Sequence, residues 1–263
     1  MAFDINLKEK VVLITGVSSG IGMGTARQFA RAGANVVGCS RKYADSESAS
    51  SFCTEVEKEG SKALYVQADV TQRKDIDNLV LQTVLKFGRL DIVVSNAGEN
   101  IFESVEKCDE KRWKYNMQLN LESHWWLSQA CKPYLEKNGG GVIILMTSNH
   151  AYCTIPGCFP YNLSKSAMTA LVQSLAIEWG PLIRSVGVAP GFIDTAGNDT
   201  WFESFPDAKA ERQRTIELHP VKRIGTVDEV GALCVYLASS YSQFISGTTI
   251  LMDGGRSALM QDS

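Results

Sequence analysis

Tyr161-Asn162-Leu163-Ser164-Lys165 sets a phenol and an ammonium four residues apart, with Pro160 directly before them. A proline suits a helix start, and in a helix beginning there Tyr161 and Lys165 share a face within reach of each other. A tyrosine titrates near about 10, too high for proton transfer at neutral pH. A fixed ammonium beside it favours the phenolate, so Lys165 is expected to pull Tyr161 down into working range. The apolar run Gly141 to Thr147 reads as a buried parallel strand ending in Ser148. Open α/β sheets place ligands outside the carboxyl ends of their strands. A hydroxyl there can hold a substrate oxygen while Tyr161 gives or takes its proton. Tyr-x-x-x-Lys alone arises by chance in many chains, so its weight rests on its surroundings.

Those surroundings alternate. Val11 to Ile14 is a short apolar strand, followed by the glycine turn Gly16-Val17-Ser18-Ser19-Gly20-Ile21-Gly22, a helical pattern ending at Gly33, and a second strand from Ala34 to Cys39. Strands are expected at 63–66, 90–94, 141–147, 186–189 and 248–251. Helices are expected at 75–87, 109–135 (one long helix or two), 161–179 and 227–238. This rhythm predicts an α/β fold: one Rossmann-like, doubly wound domain over residues 1–263, with a central parallel sheet of about seven strands and helices on both faces. The long irregular segment from Gly191 to Ile224 reads as a substrate loop or lid with short helices of its own, or as small helices packed on the surface. It contains Trp201, Phe202 and Phe205.

Composition sets the outer limits. With 263 residues, 44% hydrophobic and 21% charged, the chain suits one globular domain with a large core. A net charge of −3 and no basic cluster argue against nucleic acid. The 7 cysteines are odd in number and irregularly spaced, which fits a reduced, cytoplasmic protein. The 3 histidines, His124, His150 and His219, form no metal-type pair, and no metal is expected. The first residues carry no signal pattern, and no apolar run is long enough for a membrane span.

Gly16, Gly20 and Gly22, set between a first strand and a first helix, let a helix N-terminus approach a pyrophosphate closely. Gly16-x-Ser18-x-Gly20 also matches a hydrolase nucleophile elbow, but that elbow should follow several strands and nothing marks a triad histidine. With these motifs in view the chain resembles the classical short-chain dehydrogenase/reductase family over nearly its whole length. Thr15-Gly16-x-x-x-Gly20-x-Gly22 is similar to the family's cofactor turn, Asp69 to its adenine-contacting aspartate, and Asn96-Ala97-Gly98 to its sheet-steadying motif. Asn120 falls at its helical asparagine. Ser148 lies 13 residues before Tyr161, the usual spacing, and Pro190-Gly191-Phe192-Ile193-Asp194-Thr195 looks like its segment around the nicotinamide. Ser95 and Val186 depart from it, where asparagines are common.

The resemblance implies an NAD(P)-dependent oxidoreductase. Tyr161 is then the general acid/base, Lys165 its pKa-lowering and ribose-binding partner, Ser148 the holder of the substrate oxygen, and Asn120 the anchor of a proton-relay water. Cofactor contacts are expected at Gly16, Ser18, Ser19, Gly20, Ile21, Gly22, Ser40, Arg41, Asp69, Val70, Asn96, Ala97, Gly98, Tyr161, Lys165, Pro190, Gly191, Ile193 and Thr195. Ser40 stands where an acid would repel a 2′-phosphate, and Arg41 can pair with one, so NADP(H) is favoured with NAD(H) left open. Asn149 and His150 follow Ser148 directly. With Trp125, Trp126 and Trp201 as candidate walls, they suggest an aldose or polyol as the small-molecule substrate. The tryptophans also read as core. Reduction of small ketones or 3-oxoacyl thioesters is the alternative within the class, and a silent binding protein the alternative outside it. The family suggests a homotetramer, with Ile250 to Ser263 near a subunit contact.

Overall fold

Val11–Thr15 (β1), Ile92–Ser95 (β4) and Gly141–Met146 (β6) are apolar and buried almost throughout, as strands covered on both faces must be. In the computed structural model, which describes residues 4–260, they form the middle of a seven-stranded parallel sheet. The remaining strands are Asn35–Ser40 (β2), Ala63–Gln67 (β3), Ile183–Pro190 (β8) and Thr248–Met252 (β11), and the sheet order is β11-β8-β6-β4-β1-β2-β3. Helices Gly20–Arg31 (α1), Glu47–Lys58 (α2), Arg73–Phe87 (α3), Glu110–Met117 (α4), Ser123–Lys137 (α5), Tyr161–Trp179 (α6) and Val227–Ala238 (α9) connect them. Between β9 (Ile193–Asp194) and β10 (Gly225–Thr226) lie α7 (Ala196–Glu203) and α8 (Ala208–Glu217). A two-residue ladder pairs β5 (Phe102–Glu103) with β7 (Phe159–Pro160).

Alternation along each strand divides the core. Val12 and Ile14 face one layer with Phe29 of α1, Phe52 of α2 and Cys234 of α9. Val11 and Leu13 face the other with Leu79 of α3, Leu127 of α5 and Val172 of α6. This period-2 division is what a two-faced sheet requires.

The expected strands and helices are present, most within two residues of their expected ends, with three larger differences. Helix α2 was not foreseen, because only Ala49, Phe52 and Val56 mark its buried stripe among serines and glutamates. β8 starts three residues before the expected Val186, at Ile183, and takes in Arg184, whose guanidinium donates to the carbonyls of Leu237 (2.6 Å) and Ile245 (2.9 Å). The stretch 109–135 is one continuous helical path interrupted by a π-turn at Gln118–Glu122. Among the described residues no helix is long and apolar enough to cross a membrane.

The sheet is pinned at both ends. At the amino ends of the strands Asp91 accepts from Val11 N (3.0 Å), Lys10 Nζ (3.0 Å), Arg89 and Asn138 Nδ2 (2.8 Å). Burial would raise its carboxyl, but the bonds from Arg89, Val11 and Lys10 hold it below its usual range. At the carboxyl ends, Thr15 Oγ1 accepts from the backbone N–H of Asn96 (2.9 Å) and Ala97 (3.0 Å), while Asn96 Nδ2 donates to the carbonyls of Thr15 and Gly16. β1 pairs with both β2 and β4, so strand order reverses there and a crevice opens at that clamp.

Gly22 closes the clamp by having no side chain. A Cβ there would stand 2.1 Å from the Gly16 carbonyl oxygen and 2.8 Å from Asn96 Nδ2. Gly22→Ala is therefore expected to cost about 1–3 kcal/mol by overpacking, read as a lower urea midpoint at constant slope. An unchanged midpoint would contradict this account of the turn.

Candidate active site

Ser148 follows the end of β6, and Tyr161 is the first residue of α6, so the sheet and one helix deliver the two hydroxyls to the same place. The β5–β7 ladder holds the approach to the helix and sets Phe102 edge-on to the Tyr161 ring, centroids 5.4 Å apart. His150 completes a cluster of three rings, 6.0 Å from Tyr161 and 5.8 Å from Phe102. One helical turn on, Lys165 stands with its ammonium 5.5 Å from the Tyr161 ring centroid and donates to the Met146 carbonyl (3.0 Å). Thr147 Oγ1 donates to the Lys165 carbonyl (2.8 Å), locking strand end to helix. Tyr161, Lys165 and Ser148 are 8%, 3% and 7% exposed.

In the chain by itself this burial works against the expected tuning of the tyrosine. Desolvation pushes the Tyr161 phenol up to about 12, and its contact with the Ser148 hydroxyl draws it only partly back. The same burial lowers Lys165 to about 8. In a dry site both charged forms are disfavoured.

Asn120 is fully buried inside the π-turn, the kind of helix irregularity that recurs at functional sites. Its Nδ2 donates to Glu99 O and Asn116 Oδ1 (2.9 Å each), and its Oδ1 accepts from Glu99 N (3.1 Å). Its amide thus fixes the chain just after Asn96-Ala97-Gly98. A Cβ on Gly98 would meet Asn120 Oδ1 at 2.8 Å and Lys165 Nζ at 3.6 Å, so that glycine keeps the lysine and the asparagine neighbours. Beneath them, buried His124 meets Ser95 Oγ through Nδ1 (2.7 Å), which gives the unusual Ser95 a partner. Desolvation, reinforced by Lys165, holds the His124 pKa well below its ordinary value.

The glycine turn opens into the same cavity of about 1210 Å³ as these groups. Its walls include all the expected cofactor positions, from Gly16, Ser18, Ser19, Gly20, Ile21 and Gly22 through Ser40, Arg41, Asp69, Val70 and Asn96-Ala97-Gly98 to Pro190, Gly191, Ile193 and Thr195. A dinucleotide fits this half. Ser19 makes no side-chain cap on α1 and the first turn carries no acid, so free backbone N–H groups and the positive helix end suit a pyrophosphate. Asp69 Oδ1 accepts from Thr71 N (2.9 Å) and Oγ1 (2.8 Å), bracing the wall at Val70. Ser40 Oγ bonds the Tyr65 hydroxyl (2.7 Å). Arg41, 63% exposed at the side chain, donates to Tyr115 Oη (3.1 Å) and lies 3.9 Å from Glu99.

In the other half Asn149, His150 and Trp201 line the cavity with Ser148 and Tyr161. Trp201 packs at tilted and edge-on angles among Phe192, Phe202 and Phe205. Trp125 and Trp126 are not walls. Trp125 sits in a separate shallow groove beside Lys132 and Trp179, and Trp126 packs on the core under α5. Sequence reasoning missed Glu99 and Tyr115 opposite Arg41, Phe102 against Tyr161, and Arg214 on the cavity wall. None belongs to a local motif; only the fold brings them in.

Residues 16–257 match the family model described as Enoyl-(Acyl carrier protein) reductase. Human dehydrogenase/reductase SDR family member 4 is 32% identical over 252 residues, covering 95% of this chain and 88% of that protein. The 3beta-hydroxysteroid dehydrogenase 1 of Eggerthella lenta is 33% identical over 252 residues, covering 95% and 94%. Among solved structures, the ligand-free aldohexose dehydrogenase of Thermoplasma acidophilum superposes with a TM-score of 0.88 at 27% identity, covering 98% of this chain and 97% of that one.

Lys165 offers a test with a defined sign. Its folded pKa of about 8 lies below the ordinary 10.5. The unfolded chain therefore binds more protons between those values, and stability rises with pH across that window. Below it the buried ammonium costs roughly 3 kcal/mol. Lys165→Met is expected to lower turnover at least about hundredfold yet melt no lower than the parent at pH 7, with any gain shrinking toward pH 10. Thermal scans at both pH values check it. A clear loss of stability at pH 7 would show that the ammonium is held favourably.

Proposed function

The chain belongs to the short-chain dehydrogenase/reductase family, and from that membership we propose that this NAD(P)-dependent oxidoreductase oxidises a secondary hydroxyl of an aldose or polyol with NADP. The observation that carries the reading is the meeting of Ser148, Tyr161 and Lys165 at the carboxyl end of β6, in one cavity with the glycine turn. The nicotinamide, when bound, supplies the hydride acceptor or donor. The chain supplies geometry and proton traffic. Ser148 Oγ and Tyr161 Oη hold the substrate oxygen, and Tyr161 takes its proton on oxidation or returns it on reduction. Lys165 offers its ammonium beside the phenol, and Asn120 holds the Glu99 loop and a relay water. Phe102, His150 and Trp201 exclude bulk water from the reacting carbon.

Support for a sugar comes from Asn149 and His150 beside aromatic faces and from the likeness to an aldohexose dehydrogenase. Support for NADP comes from Arg41 and Lys42 at the end of β2, with no acid at Ser40. The segment 191–224, with α7 and α8 bearing Trp201 and Arg214 toward the cavity, serves as the lid. We place a homotetramer contact along edge strand β11 and its surroundings, where Leu251, Phe244 and Ile177 are exposed; positions 261–263 of the segment expected there lie outside the described residues. A second reading, reduction of ketones or 3-oxoacyl thioesters, draws on the acyl-thioester chemistry in the matched family description.

An initial-rate matrix of NADP and NAD against aldoses, polyols, simple alcohols, ketones and 3-oxoacyl thioesters separates the two readings. Aldose or polyol turnover with NADP is expected. Activity confined to ketones or thioesters would remove the sugar reading and leave the proton chemistry. Tyr161→Phe is expected to drop kcat at least about a hundredfold, and full turnover in that variant would sink the mechanism. Arg41→Ala should lower kcat/KM for NADP about tenfold or more while sparing NAD. Equal losses with both cofactors would assign Arg41 to the adenine or to packing instead.

A further inference from the structure

The substrate half of the cavity holds a cation that nothing in the fold requires. Arg256 lies on the wall shared with Ser148, Tyr161 and His150. Its Nη1 is buried and makes no hydrogen bond among the described residues. A buried donor without a partner is costly. The rest of the half-buried side chain lies on the cavity wall, where a bound molecule can complete the bonding of the guanidinium.

Its mounting is rigid. Asp253 accepts from Gly255 N (3.0 Å) through Oδ1 and from Ser257 N (2.7 Å) through Oδ2, closing the turn that carries Arg256. Cys153 Sγ lies 3.5 Å from the Ser257 carbonyl, tying that turn to the loop after Ser148. The charge of Arg256 reaches His150 and Arg214, so the three groups border one space. His150 in turn sits 6.0 Å from the Tyr161 ring.

The partners of the neighbouring charges narrow the ligand. Arg214 is already neutralised by Glu211, with bonds of 2.9 and 2.6 Å. Asp253 is near Arg256 but directs both oxygens at backbone N–H groups. Arg256 is thus left without a hydrogen-bonded or ion-paired carboxylate among the described residues, which suits a planar anionic group that can accept two parallel N–H bonds.

We propose that the substrate carries a carboxylate read by Arg256, so that the molecule oxidised or reduced is a hydroxy or oxo acid, such as a sugar acid, rather than a neutral sugar or alcohol. This rests on the alcohol–carbonyl reading above and narrows its substrate class. The hydroxyl or carbonyl lies on Ser148 and Tyr161, and the carboxylate lies across His150 on Arg256.

The test uses the full chain saturated with NADP. Initial rates are measured on matched pairs, gluconate against glucitol and 3-hydroxybutyrate against 2-butanol, with glucose 6-phosphate as a phosphate arm. Gluconate binding is measured by calorimetry in parallel. At least a tenfold preference in kcat/KM for the acids is expected. In Arg256→Gln the acid-to-neutral ratio should fall at least tenfold, through KM rather than kcat, and Arg256→Lys should recover part of it. A preference for the neutral member, or an acid-to-neutral ratio unmoved in Arg256→Gln, would overturn the inference and leave the dehydrogenase reading intact. An Arg256-dependent preference for the phosphate would overturn the carboxylate assignment. Gluconate binding that needs Arg256, with no turnover on any arm, would sink the alcohol–carbonyl reading and keep the inference; neither binding nor turnover would sink both.

Discussion

Thr15 and Asn96 bear the constraint on which everything else depends. A parallel sheet wound in two directions parts where its strand order reverses, and two strand ends are left to diverge. Here four hydrogen bonds between β1 and the loop after β4 prevent that. The glycine turn then starts from a fixed point, α1 approaches without a side chain at Gly22, and Gly98 leaves Lys165 and Asn120 side by side. The glycine-turn half of the cavity and the half holding Tyr161 and Lys165 are thus one construction, joined through a threonine hydroxyl.

The site that results is dry, and this sets its electrostatics. Tyr161 and Lys165 are both almost fully buried, and each is pushed toward its neutral form. Neutral His124 lies below, and Arg256 adds an unpaired donor on the substrate wall. A pocket of this kind holds its polar groups ready and relies on what binds to complete their bonding. It contrasts with the opposite end of the sheet, where Asp91 is surrounded by Lys10, Arg89, Val11 N and Asn138 and is fully satisfied. One end of the sheet is built for stability and the other for chemistry.

Much of this was legible in the residues. The apolar runs gave the strands because central parallel strands must be apolar on both faces, and glycine spacing located the turn because backbone clearance is a local requirement. Spacing also gave the positions of Ser148, Tyr161 and Lys165, since i and i+4 on a helix is a geometric statement. Helix α2 escaped because three buried side chains on a serine-rich segment make little pattern. The direction of the Tyr161 shift escaped because burial is a property of the whole fold, while a neighbouring ammonium is visible in a five-residue string. Trp125 and Trp126 misled for the converse reason: residue type alone does not say which side of a helix faces the cavity. Glu99, Tyr115 and Arg41 meet only because β2, the loop after β4 and α4 end at the same rim.

The π-turn at Gln118–Glu122 makes helical phase a functional quantity. Each residue of an α-helix turns the next by about 100°. A turn with one extra residue therefore re-aims everything after it against everything before it. Asn116, before that offset, accepts from Asn120 within it, and His124, after it, meets Ser95 of the sheet. Losing a single residue there would leave every side chain chemically intact and still rotate His124 away from Ser95.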